Sequence, residues 1–153
     1  MTLFEALTAA RQRIDRLDAR LLLQYATGCS HTDLLARPET PVSAPACAQF
    51  AEWVARRAAG EPLAYIVGEV EFRGRVFQVS PAVLIPRPET EVLIDLALEK
   101  LAGLANPKIL DLGTGSGIVA ISLALECPRA AVVAVDLSPE AISVARNNAG
   151  RLD

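Results

Sequence analysis

The run Asp111-Leu-Gly-Thr-Gly-Ser-Gly117 constrains this chain more than any other stretch. Apolar residues Ile109 and Leu110 precede it, Ile118–Leu125 follow it, and a second apolar run spans Ala131–Val135. Glycine inside a helix is destabilising by about 1 kcal/mol relative to alanine. Three glycines in five residues therefore read as a tight loop. Short apolar runs on either side make the order strand, loop, helix, strand. Strands with no polar face imply a parallel sheet covered on both sides by helices.

Such a loop also carries chemistry. Glycines let the backbone come close to a ligand at a helix start. Asp136 ends the second strand, where a carboxylate can accept both hydroxyls of a ribose. Together they point to an adenosine-containing cofactor at the carboxyl edge of the sheet. The dinucleotide fingerprint needs a small residue at position 118, and Ile118 stands there; the glycines fall at 113, 115 and 117. Asp111 repels a pyrophosphate and suits a cation. S-adenosylmethionine, with a sulfonium and an ammonium, fits this pattern better than a nicotinamide or flavin dinucleotide. No Lys-Ser/Thr follows the last glycine, so the loop is not a phosphate-binding P-loop. A glycine turn that holds no ligand is the plain alternative.

Upstream, helices come first. Leu3, Leu7, Ala10 and Ile14 recur at helical spacing, and so do Leu17, Leu21, Leu22 and Tyr25. Gly28 suits a helix end, and Ser30 and Ser43 suit the caps of two more helices. Phe50, Trp53, Val54 and Arg57 share a face. This predicts a helical bundle over 1–68 with Tyr25 and Trp53 in its core. Residues 63–79 are β-rich and predict a hairpin turning near Gly74, with 69–84 acting as a hairpin linker. Pro86 and Pro88 hold Ile85 and Arg87 extended. Glu89 and Glu91 then open a helix to about Leu101, where acids complement the helix dipole. Residues 85–153 form the second domain.

Composition narrows the class. With 52% apolar and 22% charged residues over 153 positions, the chain is not disordered. Its longest apolar stretches fall short of the roughly 18 residues a membrane helix needs. The start carries Glu5 and no basic region, so no secretory leader is read and the expected compartment is the cytoplasm. The net charge of −3 comes from residues 80–153, and no basic stripe appears, so direct binding to nucleic acid is not expected. Cys29, Cys47 and Cys127 form no CxxC and His31 is the single histidine, which leaves no metal site; the cysteines read as buried reduced thiols. His31 and the Arg56-Arg57 pair read as solvated helix positions.

The motifs in combination resemble one family. Pro62-Leu-Ala-Tyr-Ile66 with Gly68, Val83-Leu-Ile-Pro-Arg-Pro-Glu-Thr90, Asp111–Gly117, and Val135-Asp136 with Ser138, Pro139 and Ala141 are similar to the N-terminal half of the PrmC/HemK family. These are the glutamine methyltransferases of peptide chain release factors. The resemblance covers essentially the whole chain. It implies an α/β, Rossmann-like class I S-adenosylmethionine-dependent methyltransferase fold behind a separate all-α bundle. The fold is expected to stop after the second parallel strand and its following helix.

The resemblance further implies that residues 1–68 bind a class-1 release factor. The methyl of S-adenosylmethionine would go to the side-chain amide nitrogen of the glutamine in its Gly-Gly-Gln motif. Asp111, Gly113, Thr114, Gly115, Ser116, Gly117 and Asp136 carry over as cofactor contacts. Arg87, Pro88 and Glu89 carry over as neighbours of the pocket, with a rigid helix start as the alternative. The Asn-Pro-Pro-Tyr motif that grips the glutamine amide in this family does not occur: Asn106-Pro107 precedes the glycine loop. That motif is expected beyond Asp153, so no catalytic residue is assigned. The chain by itself is expected to lack transferase activity, to bind the cofactor weakly at best and to self-associate through an exposed apolar sheet edge. Two readings from other classes are a non-catalytic protein-binding helical module and an amino-methyltransferase acting on nucleic acid.

Overall fold

In the computed structural model, which describes residues 1–152, the chain divides into two units, Met1–Val67 and the remainder from Gly68. The periodicity of the first unit becomes five helices: α1 (Leu3–Ala10), α2 (Arg16–Thr27), α3 (His31–Ala36), α4 (Ala44–Ala58) and α5 (Leu63–Val67). The first four begin on a side-chain cap. Thr2 and Glu5 bond reciprocally at α1, Ser30 and Asp33 do so at α3, and Asp15 and Ser43 cap α2 and α4. Each cap satisfies an amide that has no partner inside its helix, typically contributing about 1 kcal/mol. Gly28 ends α2 with φ of 72°, the left-handed conformation glycine adopts without strain.

The bundle core differs from the expected one on α2. Ala19, Leu22 and Leu23 are buried, whereas Tyr25 is 46% exposed and Leu17 is also exposed. Both stripes have helical spacing, so periodicity alone does not choose between them. The small Ala19 belongs to the stripe that meets α1, α4 and α5. Trp53 is half-buried against this core. Arg57 is not merely solvated: its Nε donates to Asp18 Oδ2 at 2.6 Å and ties α4 to α2. Arg56 pairs with Glu61 through two bonds of 2.8 and 2.6 Å. Residues 63–67, expected as part of a β-rich stretch, form α5 instead. Tyr65 and Ile66 amides both donate to the Pro62 carbonyl, and proline suits a first helical turn.

From Gly68, β1 (Glu69–Phe72) and β2 (Arg75–Gln78) pair antiparallel, with Val70 opposite Phe77. Arg73 and Gly74, at φ 49° and 72°, form the two-residue turn that right-twisted hairpins favour. The hairpin is more than the expected linker. Phe72 and Phe77 meet edge to face at 6.3 Å and share a core with Ile94, Ile118 and Leu123. Five further elements and their order define an α/β unit: α6 (Glu89–Leu101), β3 (Lys108–Leu112), α7 (Ile118–Glu126), β4 (Ala131–Val135) and the closing helix α8 (Pro139–Leu152).

Strands β3 and β4 run parallel, with Ile109 opposite Val132 and Asp111 opposite Ala134. Helix α7 packs on this pair. Alternate residues on the strands are bare: Leu110 is 59% exposed, Leu112 73% and Val133 57%. The expectation of a sheet covered on both faces is therefore not met among the described residues. Of the three cysteines, all free, only Cys127 is buried; Cys29 and Cys47 are half-buried, which corrects the all-buried reading. No helix among the described residues is long and apolar enough to cross a membrane.

Candidate cofactor site at the glycine loop

The loop is anchored at its start. Gly113 and Thr114 amides both donate to the Val135 carbonyl, at 2.8 and 3.0 Å, tying the end of β3 to the end of β4. It closes on itself where the Gly117 amide donates to the Thr114 carbonyl at 2.9 Å, and α7 starts as Ile121 donates to Gly117 at 2.8 Å. Gly113, Gly115 and Gly117 have φ of 75°, 55° and 81°. An L side chain is strained in that region by about 1–2 kcal/mol.

The three glycines then part ways. A Cβ on Gly117 would lie 2.8 Å from Ile121 Cδ1 and 3.1 Å from Ala145 Cβ, because α7 and α8 come too close there. A Cβ on Gly113 or Gly115 would meet nothing within 4 Å. Those two positions border open space at the carboxyl edge of the sheet.

Two carboxylates flank the loop, one from the end of each strand. Asp136 is half-buried; its Oδ2 accepts the Gly115 amide at 2.9 Å and its Oδ1 accepts the Ser138 amide at 3.0 Å. These bonds, the Ser138 one foremost, hold its carboxyl below the usual aspartate range, so it is ionised at neutral pH. An ionised carboxylate has about four acceptor positions, so acceptor capacity remains. Asp111 accepts the Thr114 hydroxyl on Oδ2 at 2.7 Å, which leaves Oδ1. Thr114 and Ser116 are themselves buried. Ser138 continues the local order: its hydroxyl accepts the Ala141 amide at 3.1 Å and caps α8.

The donor set fits a ligand bearing hydroxyls and a positive charge. It does not suit a pyrophosphate, which would face two carboxylates. The structure thus brings Asp111, the five loop residues and Asp136 to one edge. Arg87, Pro88 and Glu89 lie exposed at the start of α6, and among the described residues no hydrogen bond joins them to the loop. Asn148 was not foreseen from sequence. It is fully buried on α8 and its Nδ2 donates to the Ser116 carbonyl at 2.8 Å. Its one signal was position: it stands seven residues after Ala141, on the face that buries Ala141 and Ala145.

The glycine loop between parallel strands, with an acid at the end of each, lies in a stretch of methyltransferase class. A family profile described as a methyltransferase domain matches residues 104–153, and one described as the PrmC N-terminal domain matches residues 3–68. The release factor glutamine methyltransferase of Burkholderia pseudomallei is 51% identical over 139 residues, covering 91% of this chain and 49% of that protein. Those of Bordetella pertussis and Koribacter versatilis are 49% and 47% identical, covering 99% and 100% of this chain and 56% and 57% of their own. Over nearly its whole length the chain is similar to release factor glutamine methyltransferases. It spans about half the length of the curated relatives it matches.

Proposed function

We propose that this chain is the cofactor-binding half of an enzyme that methylates the glutamine side-chain amide nitrogen in the Gly-Gly-Gln motif of class-1 peptide chain release factors. The proposed methyl donor is S-adenosylmethionine. The observation that carries this reading is the glycine loop set between two carboxylates at one sheet edge. The remaining acceptor positions of Asp136 suit vicinal ribose hydroxyls. Asp111 Oδ1 suits the ammonium of the methionine part. Open space over Gly113 and Gly115 admits close approach to their backbone, while Thr114, Ser116 and Gly117 hold the loop in shape. When bound, the cofactor supplies a methyl group on a sulfonium.

The acceptor chemistry asks for more than this chain contains. A glutamine amide nitrogen is a poor nucleophile because its lone pair is delocalised into the carbonyl. Its methylation depends on positioning and on acceptors aimed at the amide protons. No Asn-Pro-Pro-Tyr occurs here, and no catalytic residue is assigned. Residues 1–68 are proposed to bind the release factor. Arg87, Pro88 and Glu89 are proposed to border the pocket. A release factor works in the cytoplasm, and the proposal places the enzyme there.

The test is a methyl-transfer assay on a class-1 release factor. A chimera would join this chain to the C-terminal half of the Burkholderia pseudomallei relative, beside titration of S-adenosylmethionine against the chain itself. Expected is one methyl on the Gly-Gly-Gln glutamine, located by mass spectrometry. A folded chimera that modifies nucleic acid or small molecules and leaves the release factor untouched overturns the proposal.

A further inference from the structure

Asn148 places a side-chain amide in the interior of the second unit, with no exposed surface. A buried amide is tolerated only when its donors and acceptor are satisfied. Here the partners are all main-chain atoms. Oδ1 accepts the Gln78 amide at 2.7 Å, while Nδ2 donates to the Gln78 carbonyl at 2.9 Å and to the Ser116 carbonyl at 2.8 Å. Toward β2, Asn148 therefore acts as a neighbouring strand would, pairing both polar groups of one residue. With its second proton it reaches into the glycine loop.

The loop needs such an anchor. Gly115 and Gly117 flank Ser116 and explore both hands of backbone space in an unrestrained chain. Two side chains hold this part of the loop from outside it. Asp136 does so from the ligand side, through Gly115. Asn148 does so from the protein interior, through Ser116, and is too deeply buried to touch a ligand. The same side chain fixes the end of the hairpin, so hairpin and loop share one support.

We infer that Asn148 is a positioning residue. It sets the shape of the glycine loop before any ligand arrives and makes the β1–β2 hairpin part of that loop's support. The inference rests on the reading of the loop as a cofactor site. Its chemistry is preorganisation: a loop already held in one geometry loses less freedom when it binds.

Hydrogen exchange on the ligand-free chain tests the inference. Asn148→Asp keeps an acceptor for the Gln78 amide and, ionised or protonated, cannot keep both donors. Asn148→Leu removes all three bonds at similar size. With Asp, the Thr114 and Gly117 amides are expected to exchange about tenfold faster or more, while the Gln78 amide stays near its wild-type rate. With Leu, all three speed up. Amides of α6 keep their rates in both variants. Unchanged exchange at Thr114 and Gly117 overturns the inference. So does a uniform loss of protection across the second unit in Asn148→Asp, which would make the residue a general requirement for folding.

A second arm titrates S-adenosylmethionine against the chimera described above, with Asn148 intact, with Asn148→Asp and with a packing control, Ile94→Val. The Asp variant is expected to bind about tenfold more weakly and the control as wild type does. A folded chimera that does not bind the cofactor sinks the cofactor reading, and the exchange arm still decides the role of Asn148.

Discussion

Alanine at Gly117 tests the geometry of the site most directly, because two separate costs meet there. At φ of 81° an alanine is strained by about 1–2 kcal/mol. Its Cβ would also stand 2.8 Å from Ile121 Cδ1 and 3.1 and 3.3 Å from Ala145 Cβ and Cα. Ile121 can swing its terminal methyl aside. Ala145 Cα is helix backbone, and α8 must shift to relieve it. Overpacking of this kind costs about 1–3 kcal/mol, for a total of about 2–5 kcal/mol. Gly115→Ala, at φ of 55° with nothing within 4 Å, carries only the first cost, about 1–2 kcal/mol. Trp53, Tyr25 and Tyr65 all lie in Met1–Val67, so intrinsic fluorescence reports the first unit alone. The second unit is followed by hydrogen exchange at Ile121 along a urea series. With a slope of about 1–3 kcal/mol/M, the Gly117→Ala midpoint falls by about 1–2 M and the Gly115→Ala midpoint by about half as much. The Trp53 midpoint stays in place. Equal midpoints for the two variants would refute the close approach of α7 and α8.

Four further outcomes concern the second unit. Arg73 Nε and Nη2 donate to Glu126 at 2.9 and 2.8 Å and Nη1 donates to Asp95 at 2.8 Å, so Arg73→Ala should cost about 1–2 kcal/mol, less in high salt. Arg73 holds the Glu126 carboxyl below its ordinary 4.5; the contribution is complete above that value and is lost as pH falls through the lowered one, so acid unfolding monitored by exchange should flatten in Arg73→Ala. Ser122 Oγ is buried without a partner, and Ser122→Ala should raise the melting temperature by the equivalent of about 1 kcal/mol; a decrease refutes the unsatisfied hydroxyl. The chain alone should self-associate through its bare sheet, with light scattering rising over a concentration series and Leu112→Lys suppressing it; a monomer throughout refutes this.

What was legible in the sequence was what neighbours in the chain decide. Ser30 with Asp33 and Ser43 at its helix start are local bonds, and the caps lie where the spacing puts them. Asp111, the glycine loop and Asp136 converge because a strand–helix–strand crossover brings successive strand ends to one edge, whatever else the fold contains. The failures needed tertiary information. Residues 63–67 carry five apolar positions, too few to separate helix from strand by period. The expected stripe Leu17–Leu21–Leu22–Tyr25 and the buried stripe Ala19–Leu22–Leu23 share Leu22, and only the partner helices select the second. Asn148 looks like a tolerated polar residue on a helix until Gln78 and Ser116, far away in sequence, supply its partners.

The sheet shows how a correct physical demand can outrun the observed structure. β3 and β4 carry no polar face apart from Asp111 and the terminal Lys108, and such strands require burial on both sides. Helix α7 meets one side of that demand. On the other, Leu110, Leu112, Val133 and Val135 remain on average more than half exposed. Full burial of four such side chains is worth about 6–12 kcal/mol, so the part still in water amounts to about 3–6 kcal/mol. That is comparable to the net stability of a whole small domain, about 5–15 kcal/mol. A free-energy gain of this size favours any apolar surface that can reach the sheet, which is why association is expected of the chain alone and why one charge at Leu112, the most exposed of the four, should be enough to weaken it.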